Sequence, residues 1–71
     1  MPRALSQKHS ISLKGHRTSI TLENEFWQSL KEIASTTGKP VNTLIEEVDA
    51  SAPENLSSAL RVYILRHYKN R

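Results

Sequence analysis

Few residues in this chain can do chemistry, and their spacing narrows what they can do. The three histidines, His9, His16 and His67, show no i,i+4 helical spacing, and the chain has no cysteine. A metal site needs several converging ligands, so neither a metal nor any other cofactor is expected. No nucleophile–base pair and no Gly-rich phosphate loop is present. No catalytic residue is therefore assigned, and an enzyme is not expected. What remains is recognition chemistry. Arg17, Ser19 and Thr21 alternate with Thr18, Ile20 and Leu22. On a strand that alternation sends the two sets to opposite faces. An arginine can pair bidentately with guanine, and serine and threonine can serve several bases. The same three residues would also suit the wet face of a half-exposed sheet. Spacing alone leaves both readings open.

The elements that would hold this face follow from periodicity. Residues 1–8 are polar and basic, contain Pro2, and read as a disordered arm. Ser10-Ile11-Ser12-Leu13 alternates as a half-buried strand would, and Lys14-Gly15-His16 interrupts it with a turn signal. After Leu22 the period changes. Asn24 can serve as an N-cap. Phe26, Leu30, Ile33, Ala34 and Thr37 then share one helical face, with Trp27 widening it. Gly38 sits where a helix stops. The first helix is placed at 24–37. At that spacing Phe26 and Trp27 read as core rather than as base-stacking residues. Pro40 suits the opening of a second helix at 41–50, with Val41, Leu44, Ile45 and Val48 as its apolar face. Asn55 or Pro53-Glu54 opens a third helix. Leu56, Ala59, Leu60, Tyr63, Ile64 and His67 make one face, while Val62, Leu65 and Tyr68 lie outside it. A helix apolar around most of its surface is buried on two sides. The second side is expected to meet another subunit.

Size and charge add constraints. A chain of 71 residues is one small domain, marginal without a staple. With no disulfide available, self-association is the staple to expect. No run approaches the roughly 20 apolar residues of a membrane span, and Met-Pro-Arg-Ala-Leu lacks a signal peptide's apolar core. A cytoplasmic protein is expected, with no membrane partner. The net charge of +3 is unevenly spread: +4 over residues 1–17, −5 over 18–54 and +4 over 55–71. Basic ends suggest an anionic partner, although the same charge would serve solubility.

A lone strand needs a partner for its backbone groups. The simplest partner is the same strand of a second copy, antiparallel about a two-fold axis. Such a two-stranded ribbon is narrow enough for the DNA major groove. His16-Arg17-Thr18-Ser19-Ile20-Thr21-Leu22-Glu23, followed by Phe26-Trp27, Leu30, Ile33-Ala34, Gly38 and Leu44-Ile45, resembles the ribbon-helix-helix family of the methionine and Arc repressors. The run Asn55-Leu56-Ser57-Ser58-Ala59-Leu60-Arg61-Val62 is similar to a bacterial subgroup with an added C-terminal helix.

The resemblance implies a mainly α fold with one short β-strand per chain. It would be an intertwined homodimer built on an intermolecular antiparallel β-ribbon, with a third, C-terminal helix. Residues 1–15 would be a basic arm (with an extra strand at 10–13 as the alternative), 16–50 the ribbon-helix-helix core and 51–71 the C-terminal helix. It implies base contacts by Arg17, Ser19 and Thr21. The family's phosphate-clamping amides fall on Val41 and Asn42, and its core strand positions on Thr18, Ile20 and Leu22. Pro40 stands where the family usually has a Ser or Thr cap. Lys8, Lys14 and His16 are expected to touch backbone phosphates or the minor groove from the arm. The implied function is a sequence-specific, nucleoid-associated transcriptional regulator of double-stranded DNA. Two alternatives remain. One is an interaction module of the same fold without DNA binding. The other is an antitoxin-like repressor whose C-terminal helix docks a partner protein. If 10–13 folded back as a hairpin, a dimer would carry four strands at about 4.8 Å spacing. That sheet would be as wide as the roughly 12 Å groove, too wide to enter it as the family's ribbon does, and would favour the interaction module.

Overall fold

A computed structural model describes residues 6–70 of the chain. The order is β1 (Ser6–Leu13), β2 (His16–Glu23), α1 (Asn24–Thr37), α2 (Val41–Asp49) and α3 (Leu56–Lys69). The two strands form an antiparallel hairpin, with Leu13 opposite His16, Ser12 opposite Arg17, Ser10 opposite Ser19 and Lys8 opposite Thr21. The segment expected as an arm is thus a strand from Ser6 onward, which includes the alternative extra strand at 10–13, and the described residues hold two strands rather than one. Residues 1–5 of the expected arm lie outside the described residues.

The hairpin closes through a two-residue loop. Lys14 and Gly15 have φ of 52° and 82°. Two successive positive φ values make the type I′ turn, whose twist matches that of the flanking strands. Glycine takes this conformation freely, whereas lysine carries a Cβ clash there. Lys14→Asn is therefore expected to raise stability by about 0.5–1 kcal/mol. Thermal unfolding of the two proteins checks this; an unchanged or lower midpoint would mean the turn is not strained.

The faces of the hairpin divide cleanly. Ile11, Ile20 and Leu22 are buried, and they join Leu30, Ile33, Ala34, Leu44, Ile45, Leu60 and Ile64 in one core. α2 packs against β1, while α1 and α3 pack against β2. Thr18 shares the inner side by alternation but is exposed, a departure from its expected core position. It sits near the turn on the strand that α2 does not cover, whereas its cross-strand partner Ile11 lies under α2's side of the sheet and is buried. Trp27 is half-buried, and its ring stacks on His9 with centroids 3.8 Å apart and planes 10° from parallel. That contact ties β1 to α1. The Nε2 atom of His9 is buried with no hydrogen-bond partner among the described residues.

The helix ends follow local chemistry. α1 starts after Glu23 rather than after Asn24, with no side-chain cap. It ends at Gly38, whose φ of 73° lets its N–H reach the carbonyl of Ala34. Pro40 caps α2 without a side-chain bond. Asn55 caps α3 by accepting from the N–H of Ser58 at 3.0 Å. On α3, Leu60 and Ile64 are buried, while Val62 and Leu65 are 45% and 56% exposed. Within the single chain, then, α3 buries one side. No described helix is long and apolar enough to cross a membrane.

Candidate nucleic-acid interface

The face opposite the core is the outer surface of the hairpin. Alternation and register put Arg17, Ser19 and Thr21 of β2 there, beside Ser12, Ser10 and Lys8 of β1. All six are exposed. Each can hydrogen-bond, two are cationic, and none is apolar. The first three match the base-contacting set expected from the sequence. Of the second three, only Lys8 has an expected DNA contact, and that from a flexible arm rather than a strand. The alternation of Ser10 through Leu13 puts Ser10 and Ser12 on one face, but Ser6 to His9 have no apolar residue that would extend the pattern back to Lys8.

Two side-chain devices hold this face in place. Asn42, in the first turn of α2, accepts from the N–H of Ser12 at 3.2 Å and donates through Nδ2 to the carbonyl of Ser12. The backbone groups of Ser12 therefore point away from β2, toward α2. In an antiparallel pair, opposed residues turn their backbone groups the same way relative to the gap between strands. Arg17 consequently turns its N–H and C=O away from β1, and Ser19 and Thr21 do the same two and four residues on. These groups line the second edge of β2, which no described strand pairs.

The second device closes the other end. Glu23 is the only acid on either strand. Arg61 of α3 donates to it from Nε at 2.9 Å and Nη2 at 3.3 Å, and the Ser6 hydroxyl adds a bond at 3.3 Å. The sheet's one negative charge is thus paired. The Arg61 hydrogen bond holds the Glu23 carboxyl below its ordinary value of 4.5, with its own backbone N–H adding to this and desolvation opposing. A lowered carboxyl pKa gives stability that is present above the ordinary value and lost as pH falls through the lowered one. Urea midpoints should therefore drop as pH falls below about 4.5, and Glu23→Gln should flatten part of that decline. The difference should be small, as the pair is near the surface. Identical acid limbs in the two proteins would show that the contact contributes nothing.

The remaining expected phosphate contacts are scattered around this face. Val41 and Asn42 are half-buried at the start of α2, beside the β1 edge. The N–H groups of Thr43 and Leu44 already donate to the Pro40 carbonyl at 3.0 and 3.2 Å. The Asn42 side chain is committed to Ser12, so only its main-chain amide is open to an anion. Lys14 is exposed at the turn, 4.0 Å from the Asp49 carboxylate. His16 is exposed but falls on the same side as Ile20 and Leu22, not with Arg17.

Comparison with protein families decides what this arrangement is. A family model described as a ribbon-helix-helix domain matches residues 6–68. The chain belongs to the ribbon-helix-helix family. The match spans both strands and all but the last residue of α3, so the hairpin and third helix are parts of this domain. Ribbon-helix-helix domains are in general DNA-binding regulators and not enzymes. Neither the search of curated proteins nor that of solved structures returned a match.

Proposed function

We propose that this ribbon-helix-helix protein is a sequence-specific, double-stranded DNA-binding regulator that acts as a homodimer. The observation that carries the reading is the outer face of the hairpin. It is polar throughout and carries two cations, and its single acid is neutralised from behind by Arg61. Arg17 is its base-reading residue, with Ser19 and Thr21 supplying shorter hydrogen bonds. The dimer forms along the second edge of β2, whose outward N–H and C=O groups suit an antiparallel copy of themselves. A second copy there would also cover Thr18, the inward-facing residue that the single chain leaves exposed. The amides of Val41 and Asn42 supply the phosphate contacts.

The hairpin, the arrangement that by width favours an interaction module, makes such a dimer's sheet β1-β2-β2-β1, too wide as a whole to enter the groove. Only the central pair needs to approach the bases. Two adjacent strands lie about 4.8 Å apart, well inside a groove of about 12 Å.

The test is selection of short duplexes from a random pool at about 150 mM salt, where nonspecific phosphate attraction is weakened. Enrichment of a symmetric motif is the expected result, with the protein dimeric by sedimentation. Folded, dimeric protein that enriches nothing would overturn the reading. One observation favours a second reading in that event. Val62 and Leu65 form an exposed apolar pair on α3, a surface suited to a partner protein.

A further inference from the structure

The two strands of the hairpin cannot do the same job on DNA. We propose that β1 is a phosphate-contacting strand, with Lys8, Ser10 and Ser12 resting on the walls of the major groove while β2 reads its floor. This rests on the DNA-binding dimer argued above and adds a division of labour to it.

The geometry comes from the register. Lys8, Ser10 and Ser12 stand directly across from Thr21, Ser19 and Arg17 on one exposed face. In a sheet ordered β1-β2-β2-β1, the outer strands are three spacings apart, about 14 Å. The major groove is about 12 Å wide. The two β1 strands therefore cannot descend with the central pair, and they meet the sugar–phosphate rims instead. Their chemistry fits that place. Lysine is a strongly hydrated point charge suited to a phosphate, and serine hydroxyls donate to phosphate oxygens. The three positions carry no acid and no apolar side chain.

Two further contacts prepare β1 for this role. Asn42 occupies both backbone groups of Ser12, so this edge is closed to another strand at that point. The same contact brings the start of α2, with its Val41 and Asn42 amides, to the outer edge of β1. That is the side on which a groove wall would stand. The His9–Trp27 stack fixes the strand from its inner face, so Lys8 and Ser10 extend from a held backbone.

The test separates affinity from specificity. Wild-type protein is first taken through duplex selection, and binding to the enriched duplex is measured across salt concentrations. Lys8→Ala is then treated identically. Removing one phosphate contact from each of two protomers should make the log–log salt slope shallower by about 2 and weaken binding on the order of tenfold at about 150 mM salt. The enriched motif should stay the same. Lys8→Arg, which keeps the charge, should keep the wild-type slope. Arg17→Ala should do the reverse of Lys8→Ala and change the motif. A Lys8→Ala protein with an altered motif would show that β1 reads bases, and one with unchanged slope and affinity would show that β1 does not touch DNA. Either overturns the inference while the wild-type motif leaves DNA binding standing. If wild type itself binds no duplex, both fall, and the first measurement shows it.

Discussion

Arg17→Ala is expected to erase most of the protein's preference between its selected duplex and a scrambled one, while folding and dimerisation persist. Arg17 is exposed, and its side chain makes no hydrogen bond or ion pair with another described residue. Removing it therefore takes nothing from the core. On DNA, a bidentate arginine–guanine pair is worth about 1–3 kcal/mol of discrimination, and a dimer would make two. The combined loss would be on the order of a hundredfold or more in relative affinity. Competition binding between the two duplexes, paired with sedimentation, measures both quantities. Ser19→Ala and Thr21→Ala should each do less, because a short hydroxyl serves several bases. If Arg17→Ala weakened dimerisation as much as preference, the residue would be structural and β2 would not be the reading strand.

Leu30→Ala should cost about 2–5 kcal/mol of stability. Leu30 is fully buried in the single core, among residues from both strands and all three helices. The substitution isolates packing, because alanine is the best helix former and does not weaken α1 on its own account. A chain of this length has about 4–11 kcal/mol in total at typical values per residue. The variant should therefore be partly unfolded at physiological temperature, with a much lower urea midpoint. Both proteins must be compared at one protomer concentration, since dimerisation raises apparent stability. A loss under about 1 kcal/mol would mean that the core can collapse around the gap and that the fold draws its stability from elsewhere.

The helices were legible because their signals are local. The apolar spacing of Phe26 to Thr37, with Gly38 after it, placed α1 at its observed limits, Asn24–Thr37. Asn55, one of two starts the sequence allows for α3, is its cap for the same reason: a cap acts on a donor three residues away. The small error at the start of α1 has a local cause too. Asn24 is a good cap by type, but Glu23 already has the extended backbone of a cap residue, with ψ of 149°. The solvent face of β2 was equally plain, because alternation with Ile20 and Leu22 leaves Arg17, Ser19 and Thr21 only one side to occupy.

Strand pairing was a different matter. Alternation states that a strand needs a partner but not which strand supplies it. Ser6 to His9 contain no apolar residue to announce a strand, and Lys14 is not the residue type that advertises a type I′ turn. The contacts that settle β1 in place come from far along the chain: Trp27 under His9, and Asn42 on Ser12 across 30 residues. From sequence alone, then, came the helices, the core and the identity of the polar face, all products of local periodicity and one-sided burial. Tertiary structure alone decided that this face is two strands wide, because pairing and register depend on contacts between segments that no local pattern encodes.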